Sequence, residues 1–185
     1  MGRTAVIKVL KFISTNLEGA ILVVLHRSLE APSIFPKILS KKLGRVVLEA
    51  ENGAPIGKEG IYIAKPDYHL FVHDGRTYLS QGPRENLFRP SIDVLFRLAV
   101  VAYGNRCVGI LLTGFLQVGT AGLEAIKKCG GLAIIQDPTT AEFGDMPAYA
   151  MENVAIDHIV GIGEMAGLIE DMMDREYALA KTKST

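Results

Sequence analysis

The chain has 185 residues, 49% hydrophobic and 22% charged, which suits one domain with a full core and is too short for two. Lys plus Arg and Asp plus Glu stand at 20 each, so no net field recruits nucleic acid or an acidic membrane. No stretch approaches the roughly 18 apolar residues of a membrane span, which excludes insertion.

The first stretch, RTAVIKVLKFISTNL, puts Ala5, Val6, Val9, Leu10, Ile13 and Leu17 on one face, the spacing of a helix. Lys8 and Lys11 break it as a signal peptide, and a cytoplasmic protein is expected. AILVVLH, residues 20–26, is a continuous apolar run, as in a strand covered on both faces. SIFPKILSKKLG is a helix stopped at Gly44, and RVVLEAENGAPI is a strand running into a turn. Residues 60–80 form short strands with Asp74-Gly75 as a hairpin turn. RPSIDVLFRLAVVAYG opens a helix with Pro90 and Ser91 as N-cap and closes it at Gly104. CVGILLTG is a buried strand, GTAGLEAIKKCGG a helix, LAIIQDP a strand, MPAYAMENV a short helix, IDHIVG a strand end, and residues 163–182 a final amphipathic helix. The alternation predicts an α/β fold: a doubly wound, mostly parallel sheet with helices on both faces. The domain is expected over 1–178, with a polar tail at 179–185. Such folds normally open with a strand, whereas this chain opens with a helix.

In open α/β sheets ligands gather at the carboxyl ends of strands. Three such ends carry polar residues: Leu25-His26-Arg27, Thr113-Gly114 and Gln136-Asp137-Pro138. His26 ends an apolar strand, where an imidazole serves as a general base or simply bonds a carbonyl. His69, His73 and His158 read as structural. The loop after Thr113 has glycines at 114, 119 and 122. It matches neither GxGxxG nor a Walker loop, but its backbone N–H groups could hold an oxyanion. Arg89 and Asp93 of RPSID read as a capped helix start with a surface charge pair, and otherwise as residues presented to a substrate. The loop QDPTTAEFGDMP either walls a cleft or connects two elements. Cys107 and Cys129 form no CxxC and read as reduced core thiols. Nothing in the pattern calls for a metal or a cofactor.

Together LHRS, GIYIAKPDYHL, RPSIDVLF, GILLTG, GTAGLEAIKKCGG, IIQDPTTAEFGDMPAYA and IDHIV, in that order, resemble the CheB-type protein-glutamate methylesterases of chemotaxis, over about residues 2 to 175. The resemblance implies hydrolysis of γ-glutamyl methyl esters on chemoreceptors, with glutamine deamidation as a side activity, by a Ser-His-Asp triad. His26 matches the family's histidine. The family's acid lies in T-G-M-G-x-D-G. Here that loop reads Thr113-Gly114-Phe115-Leu116-Gln117-Val118-Gly119. Val118 therefore occupies the acid position, and Phe115 the position whose backbone N–H helps bind the oxyanion. Aligning GRTAVIKVL with the family's GGxEAIxxVL places the serine of G-A-S-x-G-G two residues before Met1. The nucleophile Ser is absent, as are the usual first strand and the receiver domain.

These departures predict a degenerate triad. Replacing such an acid by its amide costs about 10⁴ in turnover, and losing the nucleophile costs about 10⁶. Ser14, Ser28 and Ser33 sit in or beside helices, and Thr113 ends the right strand without a nucleophile elbow. Two independent departures favour degeneration over a misplaced start codon alone. The chain is thus expected to be an inactive or strongly impaired esterase domain. The alternatives are a non-catalytic receptor- or partner-binding module, or a small-molecule binder. A missing strand also removes buried side chains worth about 1.5–3 kcal/mol each and predicts a marginal fold, or a gap filled by another segment.

Overall fold

A computed structural model describes residues 2–13, 19–27 and 34–182, with the backbone alone for 173–182. Met1, Ser14, Leu17, Ser28, Ser33 and residues 183–185, on which several of the expectations fall, lie outside these. The helices are α1 (Arg3–Phe12), α2 (Phe35–Leu43), α3 (Ile92–Tyr103), α4 (Thr120–Lys128), α5 (Asp145–Asn153) and α6 (Ile162–Thr182). The strands are β1 (Ile21–Val23), β2 (Val47–Glu49), β3 (Ala54–Pro55), β4 (Ile61–Ile63), β5 (His69–His73), β6 (Arg76–Ser80), β7 (Val108–Leu111), β8 (Leu132–Gln136) and β9 (His158–Val160). Among the described residues no helix is long and apolar enough to cross a membrane.

The helices form where the apolar spacing requires. α1 buries Ala5, Val9 and Leu10. α3 starts at Ser91, whose hydroxyl accepts from the Val94 N–H at 3.4 Å, meeting one of the donors left free at a helix start. α2 ends where Gly44 takes a left-handed φ of 64°. Asp74 and Gly75, at φ 46° and 66°, make the expected hairpin turn between β5 and β6.

The expected α/β architecture is present, but not as one continuous sheet. Two three-stranded parallel sheets, β1-β4-β2 and β7-β8-β9, are joined by a separate antiparallel sheet, β3-β6-β5. The parallel sheets are halves of one layer. On one side, Val9 and Leu10 of α1 and Ile13 just after it share a core cluster with Val23, Ile61 and Ile63 of the first half, Leu25 just beyond β1, and Ile134 of the second half. On the other, α3 sends Leu95 into the cluster of Tyr62 and Leu70, and Phe96 against those of Val118 and Cys107. Among the described residues, β1 pairs only with β4, and β7 only with β8. A seam therefore separates β1 from β7. It also explains why the apolar run 20–26 is regular strand only over Ile21–Val23: its later residues have a partner on one side at most.

Cys107 is buried, which pushes its thiol up to about 11 and makes it inert. Cys129 is exposed at the end of α4 and is not the core thiol expected.

Packing distinguishes two glycines. A Cβ on Gly131 would meet the Cys107 carbonyl oxygen at 2.6 Å, whereas Gly167, exposed on α6, has nothing within 4 Å. Gly131→Ala should lower stability by about 1–3 kcal/mol and Gly167→Ala should raise it by about 0.5–1 kcal/mol, both read from urea unfolding midpoints.

Candidate active site

His26 follows β1 at the carboxyl rim. Its ring lies flat on Phe88, with centroids 3.9 Å apart and planes 6° apart, while the residue's remaining surface is exposed. The covered face loses water, and this lowers the pKa below the ordinary 6.5; the Pro90 carbonyl, accepting a hydrogen bond from the ring, pulls the other way. The imidazole is therefore neutral at pH 7, which is the state a general base needs. It is backed by a phenyl ring and a carbonyl.

The segment that carries Phe88 and Pro90 is fastened from several directions. Asp67 accepts from Arg89 Nε at 3.1 Å and Nη2 at 2.8 Å, and from Arg84 at 3.1 Å. These arginines, Arg89 first, hold the Asp67 carboxyl below its usual range. Arg89 Nη1 also donates to the carbonyls of Gln81 and Gly82. The Ser91 N–H donates to His69 Nδ1, so His69 Nε2 carries the proton it gives to the Pro83 carbonyl at 2.9 Å. His69 is thus structural, as expected. The backbones of Glu85 and Phe88 bond each other reciprocally, and Glu85 pairs with Arg97. His73 is exposed beside Asp74 at 3.3 Å, away from this network.

Asp93 is fully buried. One carboxylate oxygen accepts from the Gly119 N–H at 2.9 Å and from Asn86 Nδ2 at 3.2 Å; the other accepts from the Gly122 N–H at 2.8 Å. It ties α3 to the segment of Phe88, to the 113–119 loop and to the start of α4. The surface charge pair expected of Arg89 and Asp93 does not form: Arg89 pairs with Asp67, and Asp93 binds backbone. Neither is free to meet a substrate.

The loop after β7 is apolar at both candidate positions. Val118 is buried in a cluster with Leu111, Leu123, Ile135 and Met146, with Phe88 at its margin. The Phe115 side chain is exposed and leans on Phe143 at 4.2 Å. Its backbone N–H has no partner among the described residues, so it is available to an oxyanion. Leu116 at φ 65° and Leu87 at φ 70° hold strained left-handed backbone. Both side chains are exposed at this rim.

Thr113 is not a spare nucleophile. Its hydroxyl donates to the Phe143 carbonyl at 3.1 Å and accepts from the Phe143 N–H at 2.8 Å, and its N–H donates to buried Gln136. The QDPTTAEFGDMP loop does wall a cleft: Thr140 and Glu142 line a crevice of about 100 Å³ with Thr4, Lys8, Thr113 and Gln136. Among the described residues no three His, Cys, Asp or Glu are grouped to hold a metal ion.

The structure thus brings His26 and the 113–119 loop to one rim through Phe88, Asn86 and Asp67, none of which the sequence singled out. Phe88 sits in a loop and carries no periodic signal. The reach of Asp93 depends on contacts almost thirty positions away.

Comparison with known proteins gives one answer. Residues 2–169 match the family model described as CheB methylesterase. A Leptospira interrogans protein provisionally named protein-glutamate methylesterase/protein-glutamine glutaminase is 36% identical over 168 residues, covering 90% of this chain and 87% of that one. The protein-glutamate methylesterase FrzG of Myxococcus xanthus is 32% identical over 174 residues, covering 94% of this chain and 52% of that one. In fold, the chain superposes on the crystal structure of the Thermotoga maritima CheB methylesterase catalytic domain with a TM-score of 0.86 at 24% identity, covering 91% and 92% of the two chains.

Two variants test the site's construction. Phe88→Ala uncovers the imidazole, so the His26 pKa should move up toward 6.5 in an NMR titration. With the pKa depressed in the fold, the unfolded chain binds the proton first. Stability should therefore fall as pH drops below about 6.5, and Phe88→Ala should flatten that slope. Asp93→Ala leaves the Gly119 and Gly122 N–H groups buried without acceptors and should cost about 3 kcal/mol in urea unfolding.

Proposed function

Since the chain belongs to the CheB methylesterase family, we propose that it is a protein-glutamate methylesterase domain directed at methyl-accepting chemoreceptors, in which turnover is lost or strongly impaired. The observation that carries this reading is the apolar backing of His26: Phe88 covers its face, and Val118 of the acid loop is packed in the cluster that Phe88 joins. Ester cleavage by such a site needs a hydroxyl for the imidazole to deprotonate and a carboxylate to stabilise the imidazolium that forms. A carbonyl at Pro90 can orient the ring, but it supplies no negative charge. The unpaired Phe115 N–H supports retention of the oxyanion contact, whose contribution alone is a residual one.

A second reading, a receptor-binding module without turnover, is favoured by the exposed Leu87, Phe115 and Leu116 at the same rim. Apolar side chains held out on strained backbone fit a contact surface better than a solvated loop.

Methanol release from methylated chemoreceptors in membranes distinguishes these readings from a working enzyme. Release by the 185-residue chain should equal that of His26→Ala. Release that disappears in His26→Ala would overturn the proposal. Retained receptor binding, weakened by Leu87→Ser without methanol release, would establish the binding module.

A further inference from the structure

We propose that the polar crevice between α1 and the loop after β8 binds a small zwitterionic α-amino acid, no larger than alanine, with its carboxylate at Lys8 and its ammonium at Glu142. The inference goes beyond the proposed function and holds whether or not His26 supports turnover.

The crevice carries both signs of charge on walls of different origin. Lys8 extends from the exposed face of α1, and Glu142 from the loop between β8 and α5. Both line the crevice, and neither has a hydrogen-bond or ion-pair partner among the described residues. Elsewhere on the surface opposite charges close on each other: Lys127 reaches Asp157 and Lys128 reaches Glu124, each at 2.7 Å. Lys8 and Glu142 stay too far apart to pair directly. An occupant carrying both charges bridges them.

The floor is polar and buried, unlike that of an ordinary solvated groove. Gln136 and Thr113 are 1% and 7% exposed. Gln136 Oε1 accepts from the Thr113 N–H, which fixes the orientation of the amide, and Nε2 donates to the Thr140 carbonyl. A primary amide has two N–H donors. The second Gln136 donor is therefore without an acceptor among the described residues. A carboxylate held by Lys8 accepts it in a charge-assisted bond.

Size and charge then narrow the ligand. The crevice encloses about 100 Å³, far below the roughly 300–1,000 Å³ of a site for a drug-sized molecule. Its apolar lining is Ala5 and Ile162, which suits a methyl group and leaves no room for a long side chain. A ligand with one charge matches one wall and is repelled by the other: acetate meets Glu142, and methylammonium meets Lys8. A zwitterion satisfies both.

The test is a set of heteronuclear NMR titrations of the 185-residue chain, following the backbone amides of Ala5, Lys8, Thr113 and Glu142 and the side-chain amide of Gln136. L-Alanine should shift these signals saturably. Acetate and methylammonium should each bind at least about tenfold more weakly, the loss expected for one charge-assisted contact. Lys8→Ala and Glu142→Gln should each weaken L-alanine binding by at least about tenfold; both positions are exposed, so the variants keep the fold. Lys11→Ala, which removes another exposed lysine of the same helix, should leave binding unchanged. Shifts that do not saturate with L-alanine would overturn the proposal. So would acetate binding as tight as that of L-alanine, or affinity unchanged in Lys8→Ala or Glu142→Gln. L-Leucine binding as tightly as L-alanine would overturn it too, because the crevice would then not be the site.

Discussion

The carboxylate of Asp93 is the constraint on which the site depends. A charge removed from water is tolerated only when its lone pairs are satisfied, and here backbone N–H groups of Gly119 and Gly122 and the Asn86 amide satisfy them. The glycines are needed for closeness as much as for conformation. A Cβ on Gly122 would lie 2.9 Å from Asp93 Cα, and Gly119 takes φ 88°. The anion also sits at the N-terminal end of α4, where aligned peptide dipoles favour it. One side chain thus sets the distance between the wall behind His26 and the loop that faces it.

On that frame the wall beside His26 is built of apolar packing. Val118 and Phe88 belong to one apolar cluster, and the imidazole stacks on the phenyl ring. Apolar contact stabilises the loop but favours the neutral imidazole. A catalytic acid in the same place would favour the cation and shift the His26 pKa the other way. Packing against Phe88 and the lowered His26 pKa are therefore one physical effect seen from two sides.

Much of the fold was legible because local rules govern it. The N-cap at Ser91, the stop at Gly44, the Asp74-Gly75 turn and the apolar runs of β4, β7 and β8 each follow from a few neighbouring residues. His26 was legible for the same reason: it ends such a run. The rest is tertiary. Asp93, in the first turn of a helix, reads as a surface charge until the 113–122 segment folds over it. Phe88 and Asp67 lie in segments without periodicity, and their roles exist only once the chain has brought β5, α3 and the end of β1 together. An apolar run also announces burial without saying how many strands flank it, which is why one sheet was expected where two halves stand.

The seam and the site are linked by this same geometry. In a doubly wound layer, the strands on either side of the switch in chain order diverge at their carboxyl ends and open the crevice where ligands bind. Here the walls of that crevice are Leu25-His26 and Thr113, with Gly2 between them. Among the described residues, the segment behind His26 and the 113–119 loop are tied through α3 and Asp93. The bonds of Arg89, Ser91 and Glu85 fasten the loop that carries Phe88, and the position of that ring in turn fixes the plane in which the imidazole lies.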